Sequence, residues 1–247
     1  MKVAGVIPAR WASSRLPGKS LIPICGKPLV QRVWERASQA KRLASLVVAT
    51  DDERIAVAVR GFGGRVVMTR ADHPSGTDRA AEAVAGTDAG AVINIQGDEP
   101  LIDPGLIDDL ADSFSEPGWE MATAACPIDD PRDEAAPSVV KVVWDARGGA
   151  LYFSRLPIPF VRDAGETVRR WRHIGIYAYR VDFLRRLLAT PPCELERAEK
   201  LEQLRALYIG GRIKVIQAAR AGVGVDTPED GAVAEAAVRR AEARGGG

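Results

Sequence analysis

Short apolar runs alternate with amphipathic stretches of helical period through the first half of the chain. That alternation restricts the fold more than any other feature of the sequence. Residues 3–7, 46–49, 65–68 and 91–95 are brief, mostly apolar and bounded by polar or turn-forming residues. Such runs suit strands buried on both faces. Between the first two, Leu29, Val30, Val33, Trp34 and Ala37 recur on one helical face, and another helix is expected to open at Asp51 or Asp52. Strand, helix and strand in succession make βαβ units. The expected fold is therefore α/β, a mainly parallel, Rossmann-like sheet flanked by helices.

From Met121 the pattern changes. Strand-like runs at 121–128, 139–144, 150–153 and 173–179 are separated by Pro, Gly and Asp clusters. They predict a smaller antiparallel extension, over about residues 120–210, within a single domain of 1–247. Helices are expected near 182–190 and 196–208, then a strand near 213–217. Asp103-Pro104 is a helix start, with Leu106, Ile107, Leu110 and Phe114 as its apolar face. The last helix opens at Thr227-Pro228-Glu229-Asp230, where Asp230 makes a relative of the capping box. The closing ARGGG is expected to be disordered.

Composition excludes several function classes. With 247 residues and 46% hydrophobic content, the chain can bury a core without a metal or disulfide staple. A formal net charge of +1 argues against a nucleic-acid partner. Cys25, Cys126 and Cys193 lie far apart with no CxxC pair, as in a protein of the reducing cytoplasm. Two histidines cannot supply a His-rich zinc site. The opening apolar run ends at Pro8 and Arg10, too short for a signal peptide or a membrane span.

Four loops carry groups suited to chemistry. IPARWASSRLPGK, residues 7–19, follows the first strand and gathers Arg10, Arg15 and Lys19 with Gly18. Several cations and close-approaching amides suit triphosphate oxygens, although a solvated turn has the same composition. GxxxxGK[ST] is absent, and GFGG at 61–64 reads as a turn. QGDEP, residues 96–100, places Asp98 at the end of the central strand, where a hard cation such as Mg²⁺ would find a carboxylate. Turn chemistry is the equal alternative for Gly97-Asp98. Asp226, in GVGVDTPED, either completes a metal site with Asp98 or helps cap the last helix. TRADHPSGTDR, residues 69–79, offers His73, Ser75, Gly76 and Thr77 ahead of a helix. FSR, HIGIYAY and LEQLR are individually weak.

Together these segments resemble the 3-deoxy-manno-octulosonate cytidylyltransferase family, the CMP-KDO synthetases of lipopolysaccharide biosynthesis. IPARWASSRLPGKSL, TRADHPSGTDR, NIQGDEP, YFSRLPIP, HIGIYAY, LEQLR and GVDTPED stand in the family's order over nearly the whole chain. The chain departs from the pattern at Ser138, Ala221 and Gly231. The resemblance implies transfer of CMP from CTP to 3-deoxy-D-manno-octulosonate (KDO), or to a related acid such as 8-amino-KDO or a nonulosonic acid. It implies that Arg10, Arg15 and Lys19 hold the CTP phosphates, that Asp98 and Asp226 ligate Mg²⁺, and that Ser75 and Gly76, with backbone near Ala9, read cytosine. Arg15, Lys19, Asp98 and Asp226 would be the catalytic group. Arg79, Gln96, Arg155, His173, Tyr177, Glu202 and Gln203 would line the sugar pocket, with Arg79 and Arg155 gripping the carboxylate. A cytoplasmic homodimer, formed through the second-half extension, is implied as well.

Overall fold

The computed structural model describes residues 1–12, 16–163 and 165–243. In chain order the elements begin β1 (Val3–Ala9), β2 (Pro23–Ile24), β3 (Lys27–Pro28), α1 (Leu29–Ala37), β4 (Ser45–Thr50), α2 (Glu53–Gly61) and β5 (Val66–Met68). Next come α3 (Gly76–Val84), β6 (Ala91–Asn94), α4 (Pro104–Asp112), β7 (Met121–Pro127), α5 (Pro131–Ala135) and β8 (Lys141–Trp144). The chain continues with β9 (Ala150–Ser154), β10 (Trp171–Arg180), α6 (Val181–Ala189), α7 (Glu194–Glu199), α8 (Gln203–Tyr208), β11 (Ile213–Gln217) and α9 (Pro228–Ala243). These form two compact units, one of Met1–Ala111 with Gly222–Gly247, the other of Asp112–Ala221.

The first unit is built on a parallel sheet in which β1 lies between β4 and β6, and β5 pairs with β4. Its strands are apolar on both faces because helices cover both. Val6, Ile7, Val48, Val92 and Ile93 are fully buried, as are Leu29, Val30 and Val33 of α1 and Ile55 of α2. Asp52 caps α2, its carboxylate accepting the Arg54 N–H at 2.9 Å. The carboxyl-terminal segment returns to this unit. In α9, Ala234 and Val238 pack with Ile24, Leu29 and Val225. The short β2–β3 hairpin turns through Cys25 and Gly26, both at positive φ, and the Cys25 N–H donates to Glu235 of α9 at 2.8 Å. Full burial of Val225 is worth about 1.5–3 kcal/mol. It seats the residue next to Asp226.

In the second unit β7 runs antiparallel to β10 and parallel to β11, and β8 runs antiparallel to both β9 and β10. The register of β10 against β7 shifts between Ile174 and Tyr177. A bulge of this kind re-aims the side chains on either side of it.

The helix expected at 196–208 is two helices. Lys200 adopts a left-handed conformation, φ 54° and ψ 47°, and ends α7. Glu202 and Gln203 therefore start a separate helix, α8. All three cysteines are free thiols. The expectation for the tail falls on residues 244–247, outside the described residues, apart from Ala243 at the end of α9. No helix among the described residues is long and apolar enough to cross a membrane.

Candidate active site

The loop after β1 is closed at its base by backbone. The Gly18 N–H donates to the Trp11 carbonyl at 2.9 Å, and Gly18 takes φ 72°. A Cβ there would lie 3.0 Å from the Trp11 ring, so glycine is required on both conformational and steric grounds. The Arg54 guanidinium stacks on the Trp11 indole, 3.3 Å from the ring centroid, and clamps it by cation–π attraction. Lys19 follows directly, opening a single 3-10 turn, Lys19–Leu21. Arg10 is exposed at the end of β1. Arg15 lies outside the described residues.

Lys19 joins the two acidic loops. Its Nζ donates to Asp98 Oδ2 at 2.7 Å and to Asp226 Oδ1 at 3.0 Å. Burial alone would lower its pKa, but the charges and hydrogen bonds of Asp98 and Asp226 outweigh that and hold the ammonium above its ordinary 10.5. Two backbone features bring the carboxylates together. Gly97 packs so tightly that a Cβ would fall 2.7 Å from the Pro8 carbonyl oxygen. The Val225 N–H donates to the Asp98 carbonyl at 2.9 Å, which lays the 225–226 segment along the end of the central strand.

Asp230 fixes that segment from the other side. Its carboxylate accepts the N–H groups of Asp226 and Thr227 at 2.9 and 2.8 Å, while its own N–H donates to Thr227 Oγ1 at 3.4 Å. This is the reciprocal capping expected from Thr227 and Asp230. The capping carboxylate belongs to Asp230, and the Asp226 carboxylate turns to Lys19.

The described residues hold no group of three or more His, Cys, Asp or Glu side chains that could hold a metal. A pair of carboxylates meeting one cation is nevertheless a hard-oxygen donor set. It fits Mg²⁺, which binds one or two carboxylates and takes its remaining oxygens from phosphate and water.

Ser75 is the N-cap of α3, its hydroxyl accepting from Thr77 and Asp78 N–H at 3.1 and 3.2 Å and donating to Asp78 Oδ2 at 2.5 Å. With the hydroxyl so engaged, the backbone of Ser75 and Gly76 is what remains to meet a ligand. Gly76 is exposed, and a Cβ on it would rest 3.5 Å from the Pro8 ring. His73 binds Glu82 through Nε2, which ties the loop ahead of Ser75 to α3. Ala9 closes β1, and Gln96 sits half-buried just past β6. Arg79 is only 3% exposed; it bonds Thr69 Oγ1 and lies 3.3 Å from Asp51 Oδ2.

His173, Tyr177, Glu202, Gln203 and Arg155 belong to the second unit. The Thr123 hydroxyl donates to the Ile176 carbonyl at 2.8 Å and lies 2.8 Å from His173 Nε2, so this nitrogen carries the proton. Burial lowers the His173 pKa to about 3, leaving the ring neutral. The Tyr177 hydroxyl donates to Gln203 Oε1 at 3.2 Å, and burial together with the Glu202 charge raises its pKa. Gln203 Nε2 is buried with no partner among the described residues, an unmet donor that a bound polar molecule would satisfy. Glu202 is half-buried, 3.4 Å from Arg205. Arg155 spends its guanidinium on backbone, with Nε on the Glu199 carbonyl at 2.6 Å and Nη1 on the Pro137 carbonyl at 2.8 Å.

Two contributors were not singled out from sequence. Trp11 sits inside the basic loop, and its only signal there is an aromatic among polar residues. Lys141 interrupts the apolar run VVKVVW and is fully buried.

Comparison with known proteins places the chain in a family. The family described as Cytidylyltransferase matches residues 4–215. The chain is 50% identical over 241 residues to the 3-deoxy-manno-octulosonate cytidylyltransferase of Geobacter sulfurreducens, covering 93% of this chain and 96% of that protein. It is 51% identical over 248 residues to the enzyme of the same name from Syntrophotalea carbinolica, covering 97% and 99%. A solved structure of CMP:2-keto-3-deoxy-manno-octonic acid synthetase complexed with CTP superposes with a TM-score of 0.93 at 45% identity, covering 97% of this chain and 99% of that one. The chain belongs to the cytidylyltransferase family and, within it, to the 3-deoxy-manno-octulosonate cytidylyltransferases.

Proposed function

We propose that this nucleotidyltransferase moves CMP from CTP to KDO and releases pyrophosphate. The observation that carries the reading is the meeting of Asp98, Asp226 and Lys19 at the carboxyl ends of a parallel sheet, where ligands of such folds bind. The sugar hydroxyl attacks the α-phosphorus, forming one P–O bond as the bond to the β-phosphate oxygen breaks. Chemistry of this kind needs positioning and charge neutralisation more than a protein nucleophile. Lys19 and Arg10, with Arg15, offset the triphosphate charge and then the charge on the departing pyrophosphate. Asp98 and Asp226 would hold Mg²⁺, which when bound would supply Lewis acidity toward the phosphate oxygens. Ser75 and Gly76 present backbone to the cytosine, beside Ala9.

On the acceptor side, Gln203 Nε2 and the neutral His173 ring offer uncharged polar groups to the sugar hydroxyls, with Tyr177 and Glu202 in the same unit. Work in the cytoplasm as a homodimer, in lipopolysaccharide biosynthesis, belongs to the same proposal.

The test is purified protein with CTP, Mg²⁺ and KDO, reading pyrophosphate release, with UTP and neuraminate as controls. Turnover with CTP and KDO that stops on chelation of the metal supports the reading. No release with KDO, or equal release with neuraminate, overturns it. Light scattering on the same sample reports the oligomeric state.

A further inference from the structure

Lys141 opens β8 in the second unit and is fully buried, yet among the described residues its ammonium meets no carboxylate at hydrogen-bond distance. Its three protons go to three backbone carbonyls, Ala136 at 3.1 Å, Val139 at 2.7 Å and Arg155 at 2.6 Å. Burying a cation away from water is costly, and a neutral residue would serve if only packing were needed. The arrangement therefore calls for a purpose beyond filling the core.

The three carbonyls trace a path. Ala136 and Val139 bracket the loop ahead of β8, and Arg155 follows β9. Arg155 continues the path: its N–H donates to Glu199 Oε2 at 3.0 Å, and its guanidinium donates to the Glu199 and Pro137 carbonyls. Glu199 also accepts the Ser154 hydroxyl at 2.8 Å. It is the last residue of α7, one position before the left-handed Lys200 and three before Glu202. The turn that delivers Glu202 and Gln203 is thus anchored through Glu199 and Arg155 to Lys141.

We propose that Lys141 is a positioning residue for the sugar acid. Its ammonium fixes Arg155, Arg155 and Glu199 fix the α7–α8 turn, and that turn sets the Gln203–Tyr177 pair. In this arrangement Arg155 acts through backbone carbonyls and does not itself grip the carboxylate. The inference rests on the acceptor-side reading given above.

The experiment is steady-state pyrophosphate release by Lys141→Met, varying KDO and CTP separately, with CTP affinity measured by calorimetry in the absence of sugar. The expected result is a KM for KDO raised about tenfold, kcat within about threefold and CTP affinity within about twofold of the unsubstituted protein. Lys141→Arg, which keeps charge and donors, should recover part of the KM. A folded Lys141→Met with unchanged KM for KDO, or with kcat lowered and both KM values unchanged, overturns the proposal. If Lys141→Met does not fold, Ser154→Ala decides, since it deletes the hydroxyl that donates to Glu199 and accepts the Leu156 N–H, leaving Lys141 and Arg155 in place. A severalfold rise in KM for KDO supports the proposal, and no change overturns it. Failure of the unsubstituted protein to use KDO would instead sink the functional reading, so the two failures are distinguishable.

Discussion

Lys19 and Asp98, 79 positions apart in sequence, meet at 2.7 Å. Asp226 joins the same ammonium from 207 positions away. The lysine keeps two carboxylates close that would otherwise repel.

Asp98→Asn keeps the side-chain shape and removes the charge. Its kcat should fall by about two orders of magnitude or more, with unchanged circular dichroism, because charge stabilisation acts on the transition state. Turnover near that of the unsubstituted protein would remove Asp98 from the metal site.

The Lys19 contact also has a pH signature. Its folded pKa is raised above 10.5, so the stability it contributes is fully present below that value and is lost as pH rises through the folded pKa. A series of Tm measurements from pH 8 to 11.5 should show a steeper alkaline decline than in Lys19→Met. Parallel curves would contradict the assignment.

His173 works in the opposite range. Burial takes its pKa to about 3, below its ordinary 6.5, so the folded protein resists protonation while the unfolded chain accepts it. Stability is therefore complete above about pH 6.5 and falls on acidification toward pH 3, by up to about 1.4 kcal/mol per pH unit. His173→Gln should flatten the Tm profile between pH 4 and 6.5.

Much of this was legible in the chain, and the exceptions have physical causes. The parallel sheet could be read because its strands are apolar on both faces, and Thr227 with Asp230 signalled a cap that the structure contains. The break at Lys200 could not be read, because a left-handed residue without glycine is imposed by packing and leaves no mark on a helical pattern. Asp98 and Asp226 were visible as loop acids, but their meeting depends on the Val225–Asp98 backbone bond, which side-chain identity does not encode. Lys141 leaves no distinct mark in the sequence, since a lysine within an apolar run equally suits an edge strand, and its burial depends on three backbone carbonyls.

Gly97→Ala tests how closely the central strand's end approaches its neighbour. The added Cβ would meet the Pro8 carbonyl oxygen at 2.7 Å, and backbone cannot easily yield. A loss of about 1–3 kcal/mol is expected. Denaturant titration reads the stability, and a parallel loss of activity is expected because Asp98 is the next residue.

Asp230→Ala removes the acceptor for the Asp226 and Thr227 N–H groups. A cap of this kind is worth about 1 kcal/mol. The informative readout is the Mg²⁺ concentration needed for half-maximal rate, which should rise severalfold as the Asp226 backbone loosens. An unchanged Mg²⁺ requirement would detach the cap from the site.

Because residues 222–243 complete the unit begun by residues 1–111, the second acid reaches Lys19 only after the intervening lobe has been translated. A nascent or truncated chain lacking residue 226 would still present the basic loop and Asp98, but would lack half of the acidic pair. The acidic pair is thereby completed only once residue 226 has been made, when residues 112–221 have already been synthesised.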